Sequence, residues 1–312
     1  MKNNTKNKTV SSNEYNFDWI KETWGWDTPE HFINTQGKNL RPRILAALKI
    51  SDLTPGMRIL DVGCGRGEVV LHCARLGIDG TGVDYSKQAI EIAEQAKATH
   101  SVLEKSHMQF FCDDIKNLPI DKPFDRIFLL DVVEHLHDWE LIEVLNTCYM
   151  LLKPKGALII HTLPNKWLYD ITYSRIIRLF MPWLPRDPRT EKEKKIHVNE
   201  MTISHLCRLL TETGFKSRVW LHDLIVEQSH WHEGQPLRDR RRKVYELLNN
   251  EFFSSIYRIL AKTPLRLLIV NEMFAVSWKS ENRPKIKLPL GLTEKFVISM
   301  LNRKKHKKLF SI

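Results

Sequence analysis

The chain is 312 residues long and 42% hydrophobic, enough for one large α/β domain with insertions or two small domains, each with a real core. Its net charge of +11 sits at the two ends: residues 1–10 hold three lysines and no acid, residues 283–312 hold nine Lys and Arg against Glu294 alone, and residues 11–282 are formally neutral. A nucleic-acid enzyme more often spreads basic charge along its catalytic face, so this distribution disfavours one.

Residues 1–13 read as a disordered basic arm and residues 14–50 as an N-terminal cap. The cap is rich in tryptophan (Trp19, Trp24, Trp26) and closes with an apolar helix, Arg43 to Lys49. The polar N-terminus has no secretory character, no apolar run is long enough to span a membrane, and the five cysteines show no C-x-x-C spacing. A cytoplasmic protein without disulfides is expected.

Arg58 to Val62 is a short apolar run holding one acid, Asp61, and it leads into Gly63-Cys64-Gly65-Arg66-Gly67. Helical apolar spacing resumes at Glu68, and Gly77 is a plausible stop. Strand, glycine turn and helix together bind nucleotide-like ligands, because glycines admit the ligand to the backbone and the helix offers free amides. The glycines fall at 63, 65 and 67, which is not the G-x-G-x-x-G spacing of dinucleotide sites. Asp61 would repel a pyrophosphate and suits an ammonium or sulfonium. This stretch resembles the first motif of the class I S-adenosylmethionine-dependent methyltransferases.

The later blocks occur in that family's order as far as Leu163. Thr81 to Asp84 reads as a second strand, and the carboxylate of Asp84 suits a ribose diol. Tyr85 follows it, and Ser86 caps the next helix. Met108 to Cys112 is a third strand. Asp113-Asp114-Ile115 before Leu118-Pro119 resembles the family's adenine-binding motif, with Asp114 as the acid by register, Asp113 as the alternative, and the Ile115 amide against the ring. Phe124 to Leu130 is a central strand, apolar enough to be buried on both faces. It runs into Asp131-Val132-Val133-Glu134-His135, a helix over about 139–152, a tight turn at Lys153 to Gly156 and a fifth strand, Ala157 to Leu163.

The resemblance implies a doubly wound, seven-stranded, mostly parallel Rossmann-like sheet. It also implies S-adenosyl-L-methionine as cofactor, seated by Asp61, Gly63, Cys64, Gly65, Asp84, Tyr85, Asp113, Asp114, Ile115 and Asp131. Chemistry would sit at the carboxyl ends of strands four and five, where Glu134, His135, His161, Asn165 and His197 are candidates. Glu134, His135 and His197 are the catalytic expectations. Asp131, Glu134 and His135 would share one face of a helical turn. Some quinone O-methyltransferases hold a divalent cation with such a triplet, while many relatives use the Glu-His to shape the pocket floor. No metal ligand is assigned.

Insertions are expected at 164–200 and 228–265. Trp167 to Leu184 carries an apolar stripe (Tyr169, Tyr173, Ile176, Ile177, Phe180, Met181), either a helix over the core or an amphipathic lip at a membrane. Phe215 to Val226 and Ile269 to Trp278 read as strands six and seven, the latter antiparallel. Pro236 to Lys262 between them is an extra helix or pair, dense in arginine at its start. The tail from 283 adjoins apolar residues to a basic cluster, Arg303 to Lys308, which suits anionic lipid. The functional expectation is methylation at oxygen of a small or lipid-linked acceptor, such as a glycan or quinone precursor. The alternatives are a tRNA or other nucleic-acid methyltransferase, or a cofactor-binding scaffold without catalysis.

Overall fold

A computed structural model describes residues 9–16, 18–20, 27–119, 122–180, 191–232, 248–279 and 283–286, with single positions 182, 187, 189 and 246. Residues 1–8 of the basic arm, Trp24, Trp26, Met181, the arginine-dense run at 238–242 and the tail from 287 lie outside the described residues.

Seven strands form one sheet in the order β3-β2-β1-β4-β5-β7-β6. They are β1 Arg58–Val62, β2 Asp79–Asp84, β3 Met108–Cys112, β4 Phe124–Leu130, β5 Leu152–Thr162, β6 Phe215–His222 and β7 Glu272–Lys279. β1 to β5 run parallel, and β7 lies antiparallel between β5 and β6. Successive strand side chains point to opposite faces, so a strand buried on both sides supplies two cores. Ile59, Phe128, Ile159 and Phe274 enter one core, under the helices Pro42–Ser51, Glu68–Arg75 and Lys87–Ala98. Leu60, Ile127, Leu129, Leu158 and Met273 enter the other, under Asp138–Leu151 and Ile203–Glu212.

Two glycines of the loop after β1 are sterically required. Gly63 has φ +72°, and a Cβ there would lie 2.4 Å from the Val132 side chain. Gly67 has φ +87°, and its Cβ would lie 2.7 Å from the Phe110 ring. The loop therefore threads between the ends of β3 and β4 only because it lacks side chains.

Several boundaries differ from the sequence reading. Lys153 to Gly156 is not a free turn: pairing jumps from Phe124↔Leu152 to Arg126↔Ala157, so these residues bulge from a longer β5. Strand six ends at His222, and Ile225–Trp231 is helical. Strand seven begins at Glu272, because Ile269 closes the short helix Arg266–Ile269. Short apolar runs carry the same signal for strand and helix, and tertiary packing decides between them. The insertion after β5 forms a wide helix with π-type turns, Leu168–Ile177, then the helix Glu191–Ile196. The insertion after β6 contributes the helix Glu251–Ala261.

Candidate functional site

Parallel strands place their carboxyl ends, and the loops that follow them, along one edge of the sheet. Asp84 ends β2 there, with Oδ2 accepting from the Gly65 amide at 2.9 Å and Oδ1 from the Ser86 amide at 2.8 Å. Burial raises its carboxyl above the ordinary range, and these two donors pull it back. Asp61 is buried at the end of β1, and its carboxyl has no hydrogen bond or ion pair among the described residues. Burial, with Glu68 and Asp84 nearby, pushes it well above the usual carboxylate range. Cys64 is buried and Tyr85 is partly exposed, and both feel the Asp84 charge.

After β3, Asp113 accepts from the Asp114 amide at 2.7 Å and from Asn117 Nδ2 at 2.8 Å. Asp114 caps the short helix Ile115–Asn117 by accepting from the Lys116 amide at 2.9 Å. Ile115 buries its side chain in the core, so it can offer a ligand only its backbone.

Asp131, Glu134 and His135 do not act as one helical face. Asp131 takes a left-handed φ of +59°, and only Val133–His135 forms a short 3-10 turn. Asp131 pairs with Arg43 Nε at 2.6 Å and His161 Nδ1 at 2.5 Å. Burial opposes its ionisation, but Arg43 and His161 hold its carboxyl below the usual range. Glu134 accepts from Thr162 Oγ1 at 2.8 Å, and burial together with the Asp131 charge pushes it up to about 8. Burial would lower His161, yet Asp131 and Glu272 hold it up to about 9.

His135 turns the other way. Its Nδ1 lies 3.1 Å from the Ile196 carbonyl, an acceptor, so Nδ1 carries the proton and Nε2 keeps its lone pair. Burial and the neighbouring His197 lower it to about 3, so the ring is neutral. The rings of Tyr15, Trp19 and His197 surround it, with centroids 5.5, 6.5 and 4.9 Å away. Asn165 instead donates to the Leu267 and Val270 carbonyls and anchors the approach to β7. Among the described residues, no group of three or more His, Cys, Asp or Glu has the geometry to hold a metal ion.

The sequence reading missed several residues of this edge. Arg66, fully buried in the glycine loop, pairs with Asp27, meets Glu68 Oε1 at 3.0 Å and lies over the Phe32 ring at 4.1 Å. Arg41 is buried, and its guanidinium has no hydrogen bond or ion pair among the described residues; its cation lies 6.0 Å from the Trp231 ring. Burial and the neighbouring Arg43 lower it to about 9. Tyr15, whose carbonyl accepts from Ser86 Oγ at 2.9 Å, ties the N-terminal segment to the end of β2. Apart from Glu68, these partners lie tens of residues apart in the chain, and no local pattern marks them.

The fold and this edge define a Rossmann-like α/β protein with acids gathered at the carboxyl ends of β1 to β4. Residues 31–218 match the family model described as a methyltransferase domain, and the chain belongs to that family, the class I S-adenosylmethionine-dependent methyltransferases. It is 32% identical over 190 residues to the mitochondrial ubiquinone biosynthesis O-methyltransferase of Rattus norvegicus, covering 56% of this chain and 54% of that one. It is 31% identical over 198 residues to the ubiquinone biosynthesis O-methyltransferase of a Bradyrhizobium species, covering 60% of this chain and 74% of that one. The chain thus spans about half the length of the rat relative. In fold it is similar to a mycolic acid cyclopropane synthase crystallised with S-adenosylhomocysteine, with TM-score 0.52, 20% identity, and coverage of 76% of this chain and 83% of that one.

Proposed function

We propose that this protein transfers a methyl group from S-adenosylmethionine to a hydroxyl oxygen of a quinone-type, lipid-linked precursor. The observation that carries the reading is the fixed tautomer of His135, whose Nε2 has no hydrogen-bond partner among the described residues and lies inside an aromatic enclosure. The relatives named as ubiquinone biosynthesis O-methyltransferases supply the acceptor class.

The residues present fit the cofactor. An unpaired buried acid, Asp61, and an unpaired buried cation, Arg41, both feel the charge of Glu68. Together they suit the ammonium and carboxylate of an amino-acid moiety, since each would otherwise bear an uncompensated burial cost. Asp84 would hold the ribose, and Asp114 with the Ile115 backbone the adenine. Asp131, held by Arg43 and His161, would border the methionine end.

When bound, the cofactor supplies the activated methyl group. The protein's task is to orient the acceptor and take its proton. His135 Nε2 accepts the hydroxyl hydrogen and so aims an oxygen lone pair. A free phenol would not yield its proton to so weak a base. The hydroxyl becomes strongly acidic as its oxygen gains a methyl, so a neutral imidazole suffices at that point. His197 helps keep that imidazole neutral, and Glu134 braces Thr162 at the end of β5.

Incubation with methyl-labelled cofactor and a polyprenylated catechol should put label on oxygen. His135→Gln should lower kcat by about 10²- to 10⁴-fold, the usual contribution of a positioned base, with cofactor affinity by calorimetry unchanged. Label found only in RNA would overturn the acceptor reading, and a full rate in His135→Gln would overturn the role of His135.

A further inference from the structure

His161 is fully buried near the end of β5 and takes no part in the proton transfer above. Both of its ring nitrogens face carboxylates brought from other strands. Nδ1 is 2.5 Å from Asp131 Oδ1, just past β4, and Nε2 is 3.4 Å from Glu272 Oε2, on β7. The Asp131 amide also donates to the His161 carbonyl at 3.1 Å, so these two residues meet through main chain and side chain. Arg43 Nε pairs with the other Asp131 oxygen at 2.6 Å, and Gln228 donates to the other Glu272 oxygen. The Phe274 ring packs on the imidazole, with centroids 4.7 Å apart.

This surrounding fixes the state of the ring. Arg43 keeps Asp131 ionised, so the contact at Nδ1 requires a proton there. Nε2 and Glu272 Oε2 are both buried with no hydrogen-bond partner among the described residues, and a lone pair facing a carboxylate would be repelled. A proton on Nε2 serves both groups, and the ring is then an imidazolium. Two cations, His161 and Arg43, balance two anions, Asp131 and Glu272, as a buried set of charges requires. Burial disfavours the charged forms of the other titratable neighbours, Glu134 and His222.

Asp131 is the residue this arrangement serves. Its φ of +59° is one that aspartate tolerates but does not prefer, so its conformation needs outside support. Its side chain is 28% exposed, and an ionised carboxylate can accept more than the two donors it has. A ligand at the sheet edge can therefore still reach it.

We propose that His161 is a positioning residue: by bridging Asp131 to Glu272 it fixes the Asp131 carboxylate against the methionine end of the cofactor. The inference rests on the placement of Asp131 at that end, proposed above, and is independent of the acceptor.

The test compares two double variants that both keep the buried charges balanced. His161→Asn with Glu272→Gln retains an amide donor where Nδ1 stood. His161→Phe with Glu272→Gln keeps a ring but offers Asp131 no donor. Calorimetry with S-adenosylmethionine, well below the melting temperature of each, should give near wild-type affinity for the first. The second should bind about tenfold more weakly, the weight of one coupled contact. Nitrogen-15 spectra of histidine-labelled wild type at pH 7 should show one ring protonated on both nitrogens, and the Phe variant should lack it. Equal affinity of the two double variants overturns the proposal, as does a neutral His161 ring. Asp131→Asn separates the two readings. If it binds the cofactor like the wild type, the placement of Asp131 has failed and the proposal falls with it. If it binds weakly while the double variants match, the placement stands and the role of His161 alone is lost.

Discussion

The two halves of the sheet's carboxyl edge hold their acids in different ways. On the β1–β3 side, Asp84, Asp113 and Asp114 take backbone amides, Gly65 and Ser86 for Asp84, Asp114 for Asp113 and Lys116 for Asp114, with one neighbouring side chain, Asn117, added on Asp113. On the β4–β5–β7 side, Asp131, Glu134 and Glu272 are held by side chains from distant elements, namely Arg43, His161, Thr162 and Gln228. Amide donors carry no titratable proton and stay put when a ligand arrives. Among these donors His161 titrates, and its two ring nitrogens couple Asp131 to Glu272. The first half therefore has a fixed backbone frame, and the second is tied to a titrating imidazole and, through Arg43, to the N-terminal cap.

Arg66 is where the glycine loop departs from that pattern, since its partner Asp27 belongs to the distant cap. Arg66→Ala leaves Asp27 buried without its cation, and the expected loss is about 3–5 kcal/mol of stability, read as the shift of a denaturant midpoint. A loss below 1 kcal/mol would mean that the loop does not depend on the cap. Asp84→Ala should leave the fold in place but weaken S-adenosylmethionine binding by about 1.5–3 kcal/mol, the worth of hydrogen bonds to a charged group, measured by calorimetry. Unchanged affinity would break the reading of this half as the ribose side. Thr162→Val removes the hydroxyl that Glu134 accepts from, and about 1 kcal/mol of stability should go with it in thermal unfolding.

A separate expected effect is a slope with pH rather than a fixed loss. Glu134 is raised from about 4.5 unfolded to about 8 folded, so its favourable contribution is complete below pH 4.5. That contribution fades as pH climbs toward 8, because the unfolded chain ionises there and the folded one does not. Glu134→Gln cannot ionise in either state. Its melting temperature relative to the wild type should therefore rise steadily between pH 5 and pH 8. A flat difference over that window would remove the distinction between the two halves. In turnover, His135 sits near 3, so the rate should show no histidine inflection around pH 6.5.

The sequence by itself determined the first five strands in chain order, the glycine loop and the acids at the ends of β1, β2 and β3, while their order in the sheet came from the structure. These depend on spacing within some twenty residues, where period, glycine placement and capping all act locally. The same locality explains why Gly63 and Gly67 were legible as loop glycines, although their actual neighbours, Val132 and Phe110, were not. Only the tertiary structure decided that Arg43 clamps Asp131, that Arg66 reaches Asp27, and that His135 parts from Asp131 and Glu134 to face Tyr15 and His197. It also decided that Ile225–Trp231 is helix and that the richest apolar face of Glu251–Ala261 points outward. Such pairings join segments tens of residues apart, and burial sets their charge states. Neither the distance nor the burial exists until the chain has folded.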